Sequence, residues 1–66
     1  MEMTKSQARS YEFHREIGWE FSHWDGDRVI VELWRQDTME SRSLFATVEI
    51  APDGGHKCIE DNRTVR

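Results

Sequence analysis

Glu2-Met3-Thr4-Lys5-Ser6-Gln7-Ala8-Arg9-Ser10-Tyr11-Glu12-Phe13-His14-Arg15-Glu16-Ile17 admits a strand and a helix, and the architecture follows from which one forms. Read as a strand, Tyr11, Phe13, Ile17, Trp19 and Phe21 alternate with Glu12, Glu16 and Glu20. Arg15 breaks that alternation, and Gly18 weakens a strand where it stands. Read at 100° per residue, Glu2, Lys5, Arg9, Glu12, Arg15 and Glu16 fall within an arc of about 140°. Met3, Phe13 and Ile17 lie opposite, with Ser6, Ser10 and His14 between. The helix places every charge; the strand misplaces one.

The end signals agree with the helix. Thr4 with Gln7 three residues on is a capping-box pair, in which each side chain meets an exposed amide of the first turn. Gly18 stands where a left-handed residue closes a helix, with Trp19 beyond it for the accompanying contact. A helix over residues 4–17 is therefore expected.

Downstream, Trp19-Glu20-Phe21-Ser22-His23 and Asp27-Arg28-Val29-Ile30-Val31-Glu32-Leu33-Trp34-Arg35 read as a β-hairpin of strands 19–23 and 27–35. Loop length decides which faces meet. A two-residue Asp25-Gly26 turn would mix faces by setting Ser22 opposite Val29. A three-residue loop, Trp24-Asp25-Gly26, sets Phe21 opposite Val29 and supplies glycine at its left-handed position, so that loop is expected. A third strand spans 42–51, with Leu44, Ala46, Val48 and Ile50 on one side and Phe45, Thr47 and Glu49 on the other. Pro52-Asp53-Gly54-Gly55 is a turn by its dihedral preferences. Residues 56–60 complete an optional fourth strand, and 62–66 form a polar tail. The expected fold is α+β, one domain over 1–66: an N-terminal helix packed on a three- or four-stranded antiparallel meander. Its core is expected to hold Phe13, Ile17, Trp19, Phe21, Val29, Val31, Leu33, Leu44, Ala46, Val48 and Ile50.

Sixty-six residues bury a small core, so oligomerisation or a larger partner is a natural source of added stability. Thirteen acidic and nine basic residues give a net charge of −4, which argues against a general nucleic-acid binder. No apolar run is long enough to span a membrane. One cysteine, Cys58, forms no internal disulfide, and a cytoplasmic location is the expectation.

No catalytic constellation and no cofactor motif is present. Glu12 with Glu16 lacks a cleft or a nucleophile. Asp25-Gly26-Asp27 lacks the remaining ligands of a calcium loop. His56-x-Cys58, completed by His14 or His23, is a loose zinc pattern without paired cysteines, so no metal is assigned. The outer side of the expected sheet carries Ile30, Trp34 and Phe45 near Glu32 and Glu49, with Trp24 at the adjoining turn. An apolar patch rimmed by charge marks an interaction surface, and tryptophan is enriched at such sites.

The expectation is a non-enzymatic protein-binding module contacting its partner through Trp24, Ile30, Trp34, Phe45, Glu32 and Glu49. Its size and acidity suit an inhibitor or regulator of a larger, nucleic-acid-handling host protein, of the kind phages and mobile elements encode. Homodimerisation through the same face is another outcome. The alternatives are a nucleic-acid-associated module with a basic patch at Arg28, Arg35 and Arg42, and a zinc-stabilised domain.

Overall fold

The structure, a computed structural model, describes residues 2–61. The segment read as a polar tail, 62–66, lies outside them. Helix α1 runs Lys5–Glu16 and is followed by β1 (Glu20–Asp25), β2 (Arg28–Gln36), β3 (Arg42–Ile50) and β4 (His56–Asp61). The strands form one antiparallel sheet in the order β1-β2-β3-β4. The fold is the α+β meander expected, with all four strands present.

Both ends of α1 are closed by the residues that the sequence marks. Thr4 Oγ1 accepts from the Gln7 amide at 3.0 Å, and the Thr4 amide donates to Gln7 Oε1 at 3.3 Å. Thr4 also donates its hydroxyl to the Pro52 carbonyl, tying the cap to the β3–β4 turn. At the other end Gly18 has φ +109°, the Gly18 amide reaches Arg15 O at 3.1 Å, and the Trp19 amide reaches His14 O at 2.9 Å. This is the two-bond closure that a left-handed glycine permits. The Trp19 ring packs edge-on against His14, 5.5 Å between centroids.

The helix is turned relative to the expected orientation. Phe13 is 58% exposed and Ile17 56%, whereas Gln7 and His14 are buried. The stripe facing the sheet is Met3, Gln7, Tyr11 and His14, spaced four, four and three residues apart. The physical reason is Gln7. Its amide nitrogen donates to Asp27 O at 2.8 Å and to Ile50 O at 3.1 Å, so one side chain joins the helix to the β1–β2 turn and to the end of β3. With Oε1 engaged at the cap, every hydrogen-bonding position that matters on this amide is used.

The hairpin also departs from the expected register. Asp25 pairs with Arg28 across a two-residue Gly26-Asp27 turn, and Gly26 alone carries positive φ, +63°. Glycine at the first central position is what one of the favoured hairpin turns requires. The three-residue loop does not form, because Ser22 is an extra residue that shifts the ladder between Phe21 and His23. Phe21 then faces Val31 and Trp24 faces Val29, so Trp24 belongs to β1 and packs against the core instead of capping a turn. Similar shifts leave Phe45 unpaired in the β2–β3 ladder and Ile59 in the β3–β4 ladder. Such bulges re-aim side chains and sharpen local twist.

The buried cluster comprises Trp19, Val29, Val31, Ala46, Val48 and Ile50, with Met3, Tyr11, Trp24 and Leu33 packed against it. Phe13, Ile17 and Phe21 are not in it; Phe21 is 43% exposed and meets Tyr11 edge-on at 6.3 Å. Leu44 is not in it either. The shift at Phe45 sets Leu44 opposite Trp34, on the outer side of the sheet.

The turn after β3 is held against the first helical turn. Gly54 has φ +90°, and a Cβ there would lie 3.0 Å from Ser6 O and 3.1 Å from Ser6 Cβ. Gly54→Ala meets both backbone strain and a backbone collision, and is expected to cost about 1–3 kcal/mol in thermal unfolding. Wild-type stability in that variant would mean that the Ser6–Gly54 approach does not fix the turn.

Candidate protein-binding surface

The outer face of the sheet is more closed than its letters suggest. Ile30 lies there, between His23 and Glu49 on the neighbouring strands, yet it is only 2% exposed and offers nothing to a partner. Trp34 is half-buried. Its Nε1–H donates to Glu32 Oε1 at 3.0 Å, and the Arg42 guanidinium lies over its ring, 4.8 Å from the centroid. Glu32 accepts a second bond from Ser22 Oγ at 3.1 Å, and Arg42 Nη1 reaches Glu20 Oε2 at 3.0 Å. Ser22, Glu32, Trp34, Arg42 and Glu20 thus form one connected network. Phe45 does not join it; its ring lies beside Arg35, 5.8 Å from Cζ. Glu49, mostly covered, faces Arg28 at 3.7 Å. Of the six residues expected to contact a partner, Trp34, Glu32 and Glu49 keep partial exposure on this side, and Phe45 stands partly exposed at the bulge, beside Arg35. Ile30 is covered, and Trp24 is on the helix side.

The arginines of the suggested basic patch each face a carboxylate. Arg28 faces Glu49, Arg42 faces Glu20, and Arg35 Nε reaches Asp37 Oδ1 at 3.2 Å. Hydrogen bonds from Ser43 and then Arg35 lower the Asp37 carboxyl's pKa, which favours the charged form that Arg35 faces. Phosphate recognition needs cations with charge to spare, and these have little.

On the helix side the structure opens where sequence reading placed core. Phe13 and Ile17 project from the flank of α1 toward β4, over a groove of about 340 Å³ lined by His14, Ile17, Trp19, Val48, His56 and Cys58. The groove continues past Phe13 to Arg9, Asp53 and Gly54. His14 and His56 meet edge-on, 5.1 Å between ring centroids. His14 Nδ1 donates to Ser10 O at 2.7 Å, which fixes the hydrogen on that nitrogen and sets the ring's orientation in the groove wall. Although His14, His56 and Cys58 share this wall, no three His, Cys, Asp or Glu side chains among the described residues stand close enough to hold a metal ion. The zinc pattern finds no site.

Beyond the groove lies β4, last in the sheet and exposed at all six positions. The pair Phe13/Ile17 was legible as a helical i,i+4 pair; what hid its exposure was the assumption that the largest apolar residues of an amphipathic helix face inward. No helix among the described residues is long and apolar enough to cross a membrane. Scans against protein-family models and searches among curated proteins and solved structures find no match to this chain.

Proposed function

We propose that the protein is a non-enzymatic protein-binding module that receives an extended segment of another chain along β4. The observation that carries this reading is the pairing of Phe13 and Ile17, both more than half exposed, with an edge strand exposed along its whole length. An added strand gains main-chain hydrogen bonds from the open edge. Every second side chain of it turns into the groove beneath α1, which is how strand addition combines affinity with selectivity. Unprotected edges are otherwise a liability in a soluble fold.

The probe is a library of randomised peptides displayed against protein anchored sparsely, so that copies of it cannot meet. Selected peptides are expected to alternate apolar and charged residues. They should lose binding to the double variant Phe13→Gln/Ile17→Gln, whose exposed positions leave the fold intact, and keep it with Trp34→Ala. Selection of nothing, or of peptides that lose binding to Trp34→Ala alone, would place docking elsewhere or nowhere.

A further inference from the structure

We infer that the groove between α1 and β4 receives a phenol ring, carried by a tyrosine of the docked segment. This inference rests on the function proposed above, because it names the side chain that enters beneath α1. Two buried polar groups that the fold leaves unused point to it. His14 is 5% exposed and Trp19 7%, and both line the groove. His14 Nδ1 is committed to Ser10 O, so in the neutral ring Nε2 is a bare acceptor, and nothing among the described residues donates to it. The Trp19 Nε1–H, a donor only, meets no acceptor among them either. Buried ring nitrogens ordinarily find a partner. No side-chain nitrogen or oxygen sealed within the described residues lacks one, so these two atoms open outward, where both rings stand in the groove wall.

An unused acceptor and an unused donor thus sit on rings whose centroids are 5.5 Å apart. A hydroxyl serves both, donating to His14 Nε2 and accepting from Trp19 Nε1–H. Ile17 and Val48 make the walls beside them apolar, which suits a ring behind that hydroxyl. Tyrosine is the side chain that joins a flat apolar body to one polar tip. Serine brings the hydroxyl without the ring. Phenylalanine brings the ring alone, covering both nitrogens and satisfying neither, and a buried group left without its partner is costly. The way in lies over Cys58. That residue is exposed and pairs with Val48 on the inner side of the sheet, and its short side chain leaves room for a ring from the added strand to pass.

The first test needs no peptide. The full chain is titrated with p-cresol and, separately, with toluene at about pH 8, where an ordinary imidazole is neutral, and the ring nitrogens are followed by NMR. Before addition, His14 is expected to carry its hydrogen on Nδ1 and none on Nε2; a hydrogen found on Nε2 overturns the inference. p-Cresol should shift the His14 Nε2 and Trp19 Nε1 resonances and bind about tenfold or more tighter than toluene. Equal binding of the two sinks the phenol. The second test takes one peptide from the selection above, made with tyrosine, phenylalanine or O-methyltyrosine at its groove position. Phenylalanine lacks the hydroxyl and the ether cannot donate to His14, so each should weaken binding about tenfold or more. Affinities within about twofold of one another overturn the tyrosine and leave docking at Phe13 and Ile17 standing. A groove that takes p-cresol while no peptide is selected ends the docking reading, and the tyrosine with it. With neither p-cresol nor peptide bound, both readings fall.

Discussion

Gln7→Met is expected to lower stability by about 2–4 kcal/mol although it changes side-chain volume little. The side chain is 1% exposed, and it bonds to the Thr4 amide, Asp27 O and Ile50 O at once. Methionine fills the space and satisfies none of the three. Leaving a buried polar group without a partner costs about 1–3 kcal/mol, and the Ile50 carbonyl is the most enclosed of the set. A domain of this size holds on the order of 3–10 kcal/mol in total. The loss should therefore appear as a fall in Tm on the order of 10–20 °C. Gln7→Glu gives a sharper version. It keeps the acceptor at the cap but turns an ionised oxygen toward two carbonyls, so folding raises its pKa above the unfolded value of about 4.3. The stability that protonation of this side chain contributes is fully present below the unfolded pKa and is lost as pH rises through the folded one. Urea titrations of both variants at acid and neutral pH make the comparison. A Gln7→Met protein as stable as wild type would mean that α1 is held by its apolar contacts alone.

The same residue explains how far the fold could be read from its letters. Thr4, Gln7 and Gly18 act within one or two helical turns, so their roles are local and legible: the cap and the left-handed closure stand where the pattern puts them. The rotation of the helix depends on Asp27 and Ile50, twenty and forty-three residues away, and no periodicity encodes carbonyls that far along the chain. Strand existence was legible from alternation, but pairing was counted as regular. One extra residue at Ser22 moved Trp24 from a turn to the core, and one at Phe45 moved Leu44 from the core to the outer face. Alternation did place Ile30 and Trp34 outside. It did not reveal that neighbouring side chains lie over both, because Arg42 reaches Trp34 from a different strand. The candidate surface inherited these errors in the same order. Its members fixed by strand parity, Trp34 and Glu32, stand together, while Trp24, fixed by an assumed loop, does not.

Ile50→Ala is expected to cost about 2–5 kcal/mol, enough to consume most of the stability of so small a fold. Ile50 is fully buried at the end of β3, where its side chain joins the cluster and its carbonyl receives Gln7, so nothing nearby can collapse freely into the cavity. Phe13→Ala, a larger truncation, is expected to shift stability by no more than about 0.5 kcal/mol, because more than half of that ring is already in water. Alanine's better helix propensity can even make the change slightly favourable. Chemical unfolding of the two variants side by side decides the orientation of α1: a Phe13→Ala loss matching that of Ile50→Ala would put Phe13 back in the core. The contrast reaches function as well. Under the docking proposed above, a side chain that contributes so little to folding, yet exposes an apolar ring beside Ile17 and an edge strand, would gain its contacts from the docked chain. Helix α1 is thus divided by face, with Gln7, Tyr11 and His14 holding the domain together and Phe13 and Ile17 more than half exposed on the other flank.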